Sequence, residues 1–470
     1  NHHQTMEETL QHHQTTQCFG LPPVSPGNHH PNRPKTSHAL TSTLNQLTGA
    51  GQVQNLHLRL RKFRMSNGGK IFQPEVLRAL REPVLDKARG LPAFVYTSQT
   101  FFELEQERLF PKTWVGIAFD TDVPKRGDAV PLTVHGLPLI LVRDDDDNIR
   151  VLQNVCRHRA TIVLDKPCEG LTNFKCPYHG WTYDLMGSLI ATPFWDGTAG
   201  SRDNPVDPLK NSLVPVRSHV WNHVVFINID GKAASLPDYL EPMDRELAHL
   251  DIDSLEIGHR QTWDFRANWK LVMENWEVYH HVWVHDGVFD KMSDEVDLDS
   301  GEPYTDMIAE GNTMMLRTND RRPPIPQPVE GSSGYLPSLP QKWEPDGHTS
   351  AANAVLPNTT VTIGSMAYAP AVYVPIAPGV TQARMAWFFA PGVMGEICFE
   401  SAVNKVLDRW LGPARELTDR RGIRPQDHRC MELQQEARSS PIANDVKFST
   451  TWEQNVRYFQ NWLANHIDST

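Results

Sequence analysis

The chain contains the segment Cys156-Arg157-His158 and, after seventeen further residues, the segment Cys176-Pro177-Tyr178-His179-Gly180-Trp181. Each segment pairs one cysteine with one histidine. Thiolates suit ferric iron bridged by sulfide, and two imidazoles in place of two thiolates reduce the negative charge of such a centre and raise its potential. The pattern predicts a [2Fe–2S] cluster in which one iron takes both thiolates and the other takes both imidazoles.

A zinc site with two cysteines and two histidines is the structural alternative for these segments. Zinc fingers place both cysteines first and both histidines second, whereas here each segment holds one of each. A Gly-Trp pair also follows the second histidine. Cys168, between the segments, is interpreted as an ordinary small residue. The order of residues favours iron and sulfide over zinc.

The stretch from Val155 to Leu189 resembles the Rieske oxygenase family, the α subunits of ring-hydroxylating and related oxygenases. The resemblance implies that Cys156 and Cys176 hold one iron and that His158 and His179 hold the other. It implies an α+β fold, with an all-β Rieske [2Fe–2S] domain and a helix-grip-like catalytic domain whose antiparallel sheet is flanked by helices. Ala160 departs from the family, in which many members have Gly, and we expect only a slight change of the loop.

A second group of candidate ligands lies in the stretch from Asn268 to His285. Two imidazoles and one carboxylate on one face of Fe(II) leave positions open for O2. His281 and His285 are four residues apart and would share a helical face. The family pattern of acid, two residues, His, four residues, His instead selects His280 and His285. We follow the resemblance and predict His280 and His285 as ligands, with His281 packing nearby.

The third ligand of this iron is predicted from the same resemblance, which places an aspartate on a C-terminal helix. Asp427 fits that position and opens a predicted helix, and Asp419 and Glu416 are its rivals. Glu277 matches the acid that, in the family, links an iron-bound histidine of one subunit to a Rieske histidine of the next. Asn275 is expected near the iron.

The predicted activity needs partners. The chain has no Gly-x-Gly-x-x-Gly dinucleotide loop and no plant-type ferredoxin cysteine spacing. A separate NAD(P)H-dependent reductase, with or without a ferredoxin, is therefore expected to supply electrons. The resemblance also implies O2 as co-substrate, a mononuclear Fe(II) and a homotrimer in which one subunit's cluster serves its neighbour's iron.

The substrate is left open between a quaternary amine and an aromatic compound. Ala88-Arg89-Gly90-Leu91-Pro92 and Glu277 resemble the choline, glycine betaine and carnitine monooxygenase branch. Six aromatic residues are candidates for an amine cage, for a pocket that holds a ring, or for the core: Trp276, Trp283, Tyr368, Tyr373, Trp387 and Phe389. A Rieske electron-transfer protein without oxygen chemistry is the alternative function, and it leaves the second ligand group unexplained.

Composition and domain boundaries set the remaining expectations. The 470 residues carry a formal net charge of -11 and six cysteines, with no basic stripe and no long apolar run. We therefore expect a cytoplasmic protein that binds neither nucleic acid nor membrane. The predicted divisions are 1–64, a disordered extension, artefact or transit peptide; 65–110, a helical part of the catalytic domain; 111–232, the Rieske domain; and 233–470, the catalytic domain.

Local patterns predict several elements. Two apolar runs around the acidic turn Asp144–Asn148 predict a hairpin. Residues 286–350, rich in Pro, Gly and Ser, are expected to be loop-like. Helices are predicted near residues 101–110, 240–250, 396–420, 426–438 and 451–466.

Overall fold

The computed structural model describes residues 71–198, 206–285, 296–322, 336–344 and 350–468. The extension predicted over residues 1–64 lies outside these ranges. None of the described helices is long and apolar enough to cross a membrane.

The first half of the described chain forms antiparallel β-sheets. Six strands pair in the order β1-β9-β8-β4-β3-β2. They are Val115–Phe119 (β1), Ala129–Val134 (β2), Leu137–Arg143 (β3), Ile149–Gln153 (β4), Pro215–Trp221 (β8) and Val224–Asn228 (β9). A three-stranded sheet comprises Phe174–Lys175 (β5), Thr182–Tyr183 (β6) and Leu189–Ala191 (β7). The predicted hairpin is confirmed as β3 and β4, with Leu141 opposite Val151.

The second half is built on a seven-stranded antiparallel sheet in the order β10-β16-β15-β14-β13-β12-β11. Its strands are Glu256–Phe265 (β10), Thr305–Glu310 (β11), Thr313–Thr318 (β12), Ser350–Val355 (β13), Thr359–Ile363 (β14), Tyr368–Ala377 (β15) and Val380–Phe389 (β16). The loop-like expectation for 286–350 is wrong where β11 and β12 form a hairpin. The apolar run Met314-Met315-Leu316 is buried there, and burial outweighs the loop-like composition around it.

Helices pack against the sheets, and the short helix Pro208–Asn211 lies against β7 of the three-stranded sheet. The helices are Pro74–Leu80 (α1), Phe94–Thr97 (α2), Gln99–Arg108 (α3), Pro208–Asn211 (α4), Leu236–Leu247 (α5), Trp269–Glu274 (α6), Ile397–Leu411 (α7), Ile423–Ala437 (α8) and Gln454–Asp468 (α9). The predicted helices are present with shifted ends. Helix α8 begins at Ile423, three residues before the predicted start, because Pro425 falls in the first turn, where a missing backbone N–H breaks no hydrogen bond. Asp427 therefore lies inside the helix.

Buried polar contacts connect the two main sheets. Asn358 receives a hydrogen bond from the Gly116 N–H on β1 at 3.0 Å and donates one to the Gly116 carbonyl at 2.9 Å. His223, between β8 and β9, has Nδ1 2.9 Å from Asp120 Oδ2 and Nε2 2.9 Å from the Ile252 carbonyl. Burial lowers the pKa of His223, but the hydrogen bond to Asp120 outweighs it and the pKa is raised.

A buried charge network anchors helix α6. Lys270 Nζ lies 2.6 Å from Glu105 Oε1, and both side chains are completely buried. Glu274 accepts hydrogen bonds from Tyr96 Oη at 2.5 Å and Gln460 Nε2 at 3.0 Å. Since α6 leads directly into the second candidate ligand group, this network fixes where that group starts.

Candidate metal centres

The two cysteine–histidine loops have the same backbone geometry. The Cys156 N–H donates to the Thr161 carbonyl at 2.8 Å, and the Cys176 N–H donates to the Trp181 carbonyl at 2.8 Å. In each loop, a residue in the left-handed region donates back to the cysteine carbonyl: Ala160 (φ 55°) in the first and Gly180 (φ 73°) in the second. The two loops are thus copies of one turn, and Ala160 occupies a conformation that favours glycine.

The side chains of these loops converge. The His158 and His179 ring centroids are 4.6 Å apart. Burial raises the pKa of the Cys176 thiol, and so does its hydrogen bond with the Cys156 thiol. Among the described residues, His158 Nδ1 is buried without a hydrogen-bond partner. Two adjacent thiols, two adjacent imidazoles and an unpartnered ring nitrogen fit the ligand set of a [2Fe–2S] cluster.

Tyr183 and Trp181 also contact this site. Tyr183 Oη lies 3.3 Å from Cys156 Sγ and accepts a hydrogen bond from the Arg157 N–H at 3.0 Å. Trp181 stacks on His158 with a centroid separation of 4.9 Å. A hydroxyl at a cluster thiolate tunes its charge. Sequence reasoning missed this role of Tyr183, which follows from the pairing of β5 and β6.

A second group lies beyond α6. His281 Nε2 and His285 Nε2 lie 3.5 Å and 3.4 Å from Asp427 Oδ1, and one ligand atom from each residue falls within 4.8 Å of the others. His281 Nε2 and Asp427 Oδ1 are buried and, among the described residues, make no hydrogen bond. Two imidazoles and one carboxylate whose ligand atoms converge fit a mononuclear iron.

The prediction of His280 as a ligand is not matched by this geometry. His280 stacks on Trp452 at 6.1 Å, and its Nδ1 lies 3.5 Å from Glu453 Oε1. Residues Val278–Val284 form a 3-10 helix with a non-helical residue, His281. This backbone turns His281 towards His285 and Asp427, and His280 away from them. The four-residue separation, rather than the family pattern, describes the pair that the structure brings together.

Two neighbours orient the imidazoles of this group. His285 Nδ1 lies 3.0 Å from Gln426 Oε1, and Gln426 Nε2 donates to the Arg420 carbonyl at 2.8 Å. The amide is thereby oriented to accept from Nδ1–H, which leaves Nε2 of His285 with its lone pair towards Asp427. Glu277 Oε1 lies 3.7 Å from His281 Nδ1 in the equivalent place. No pattern in the sequence pointed to Gln426.

The rival carboxylate Asp419 is engaged elsewhere. It accepts hydrogen bonds from Arg421 Nε at 2.8 Å and from the Ala414 N–H at 2.7 Å. For Asp427, burial raises the pKa, but the facing imidazole of His281 and the nearby charges of His285 and Arg424 outweigh burial and lower it to about 2. Asp427 is therefore an ionised carboxylate, as a metal ligand must be.

Comparison with known protein families identifies two segments of the chain. Residues 113–201 match the model of the Rieske [2Fe-2S] domain. Residues 252–469 match the model of the ring hydroxylating alpha subunit (catalytic domain). The chain joins a Rieske domain to a ring-hydroxylating α-subunit catalytic domain. Strands β1 to β7 fall within the first match, and the seven-stranded sheet with helices α6 to α9 falls within the second.

Curated relatives of this Rieske protein include two kinds of oxygenase subunit. The biphenyl dioxygenase subunit alpha of Metapseudomonas furukawaii is 31% identical over 44% of this chain and 47% of its own length. The carnitine monooxygenase oxygenase subunit of Escherichia coli (strain K12) is 32% identical over 44% of this chain and 54% of its own length. The chain therefore matches about half the length of these relatives.

Solved structures extend the likeness of fold. A quaternary ammonium Rieske monooxygenase in complex with the substrate γ-butyrobetaine has a TM-score of 0.63 at 22% identity, over 83% of this chain and 98% of that one. Naphthalene 1,2-dioxygenase from Rhodococcus sp. bound to indole has a TM-score of 0.63 at 19% identity, over 90% and 99%. At these identities the likeness concerns the fold.

The histidines and Asp427 of the catalytic domain line a cavity of about 360 Å³. Asn275 lines it too, near the metal group as expected. Of the six aromatic residues considered for an amine cage, Trp276 lines the cavity. Trp283 is exposed, and the other four are buried in the core. The six residues therefore divide between the alternatives of cavity lining and core and do not form a cage together, and Trp410 is an aromatic wall that sequence reasoning missed.

Proposed function

We propose that this chain is a terminal oxygenase that uses O2 and electrons from a separate reductase to hydroxylate, demethylate or dihydroxylate a small organic compound. The observation that carries the proposal is the buried group of His281, His285 and Asp427, which opens into a cavity and shares a chain with a Rieske domain. Cavities of a few hundred Å³ suit small organic ligands.

In this proposal His281, His285 and Asp427 hold the mononuclear iron. When bound, that iron supplies a redox-active centre with open positions for O2 and a neighbouring substrate. Gln426 holds the His285 ring, and the cavity walls keep the substrate beside the metal group. Cys156, His158, Cys176 and His179 hold the cluster through which electrons enter.

The proposed partners are a separate NAD(P)H-dependent reductase, with or without a ferredoxin, and two further copies of this chain. Glu277 supports the role of the copies. Its Oε1 lies 3.7 Å from His281 Nδ1, while Oε2 is buried and makes no hydrogen bond within the described residues. The carboxylate lies beside an iron ligand, and a turn of its buried Oε2 towards the surface on assembly would let it accept a hydrogen bond from a neighbouring subunit's Rieske histidine.

Iron analysis of the purified protein with a generic NADH-coupled reductase tests the proposal. We expect a Rieske EPR signal, a third iron per chain that a chelator removes, and O2 consumption that is lost with that iron. A protein that accepts electrons, binds only two irons and consumes no O2 with amine or aromatic compounds would instead be an electron-transfer protein.

The His281→Ala and His280→Ala variants test the ligand assignment. The structure leads us to expect that His281→Ala loses the third iron while keeping the Rieske signal, and that His280→Ala keeps both. The opposite result would assign the iron to His280, as the family pattern implies.

A further inference from the structure

Arginines outnumber acidic residues among the side chains that line the cavity of the catalytic domain. Among the described residues that line it, three are arginines, Arg322, Arg409 and Arg424, and one, Asp427, is acidic. The proposed iron would bind Asp427 and add positive charge. Since Arg322 and Arg409 have interactions of their own, the charge that bears on a ligand is that of Arg424. A substrate that carries only a cationic ammonium group would lie beside this like charge, which costs free energy in a site of low dielectric constant.

Arg424 is the most informative of the three. Arg424 is only 5% exposed to solvent. One terminal nitrogen lies 3.2 Å from Thr362 Oγ1, and the other lies 3.3 Å from Tyr373 Oη. Nε is buried without a hydrogen-bond partner among the described residues. The guanidinium also lies over the Trp410 ring, 5.5 Å from its centroid.

These contacts orient the Arg424 guanidinium without neutralising it. Both hydrogen-bond partners are neutral hydroxyls, and the carboxylate of Asp427, which acts on Arg424 electrostatically, is committed to the proposed iron. A buried charge is strongly unfavourable unless it is paired. Guanidinium forms its strongest hydrogen bonds, often two in parallel, with carboxylates. The missing partner is therefore expected to arrive with the ligand.

We propose that the substrate of this site carries a carboxylate, and that Arg424 binds it. The proposal rests on the proposed oxygenase function only in calling the ligand a substrate. The rest of the cavity is mostly apolar, with Ala352, Ile363, Ala367 and Trp410 among its walls. The ligand is thus a small carboxylate with an apolar or zwitterionic body, and its uncharged or purely cationic analogues are discriminated against.

Equilibrium binding to the iron-loaded protein without reductase tests this proposal independently of turnover. Two matched pairs are titrated by calorimetry: benzoate against benzamide, and γ-butyrobetaine against its primary amide. We expect the carboxylate of at least one pair to bind about tenfold or more tightly than its amide, as a charge-assisted hydrogen bond gives. Equal affinities within both pairs, or no binding of either carboxylate, would overturn the proposal.

Substitutions then test the residue. Arg424→Gln is expected to weaken carboxylate binding about tenfold or more while leaving amide binding unchanged. Arg424→Lys is expected to retain part of the preference. Arg429→Gln, on the exposed side of the same helix, is the matched control and is expected to change neither. If Arg424→Gln weakened the carboxylate and the amide equally, with the third iron retained, its role would be structural and the proposal would fail.

The two proposals fail in different ways. Carboxylate-selective binding without O2 consumption would refute the oxygenase and keep the Arg424 site. O2 consumption with amides or hydrocarbons, and no preference for carboxylates, would keep the oxygenase and refute the Arg424 site.

Discussion

Replacing Ala160 by glycine is expected to strengthen the first cluster loop. At φ 55° Ala160 is in the left-handed region, which costs an L-residue about 1–2 kcal/mol. Glycine removes that cost but loses about 0.4–1 kcal/mol through the greater freedom of the unfolded chain. The net gain of about 0.5–1 kcal/mol corresponds to a slowing of loop opening by about two- to fivefold. The rate at which the visible absorbance of the cluster is lost at fixed temperature measures it.

Gly180→Ala is the matched variant in the second loop and is expected to act in the opposite direction. Gly180 has φ 73°, and a Cβ there would lie 3.0 Å from Pro193 Cγ. The conformational cost of about 1–2 kcal/mol and this contact together exceed the gain from the unfolded chain, so cluster loss should accelerate. Faster loss in Ala160→Gly, or slower loss in Gly180→Ala, would refute the equivalence of the loops.

Three further perturbations follow from the contacts described above. Lys270→Met leaves Glu105 buried without its cation and should lower the free energy of unfolding by about 3–5 kcal/mol in urea titration; if the double variant with Glu105→Leu lost as much again, the pair would not be coupled. Gln426→Leu frees the His285 ring and should weaken iron binding about 10–100-fold in chelator competition, with the Rieske EPR signal unchanged; an unaltered iron affinity would contradict the orienting role. Because its pKa is raised in the folded protein, protonated His223 stabilises the fold at low pH and this contribution fades as pH rises through that pKa; the stability difference from His223→Asn should therefore be larger at about pH 6 than at about pH 9, and a pH-independent difference would exclude an imidazolium.

The cluster loops were predictable because their chemistry is local. Each loop carries a cysteine and a histidine within four residues, so spacing alone indicates a shared metal centre. The resemblance added Asp427, which lies 142 residues after His285 and which the structure places beside it. The hairpin around Asp144 followed from alternation and a turn, which are also local signals.

The rest depended on tertiary packing. The choice between His280 and His281 depends on a 3-10 helix with a kink at His281. The four-residue spacing of His281 and His285 indicated the pair that the structure brings together, but the family pattern was preferred to it. In the sequence, Arg424 is indistinguishable from an ordinary helical arginine. Its role depends on the contacts with Thr362 on β14 and Tyr373 on β15, which form only in the folded chain. Strand β12 was not predicted because the Pro- and Gly-rich composition around it is typical of loops.

The contacts of Lys270 and Glu274 determine how the chain can be divided into fragments that fold. Their partners Tyr96 and Glu105 precede the Rieske segment in the chain, whereas Gln460 belongs to the last helix. A recombinant fragment that starts after residue 232 would therefore lose Glu105, the carboxylate that pairs with the buried Lys270 ammonium. The proposed iron-binding domain is built from residues near both ends of the polypeptide. A fragment that folds would therefore have to include residues 71–110.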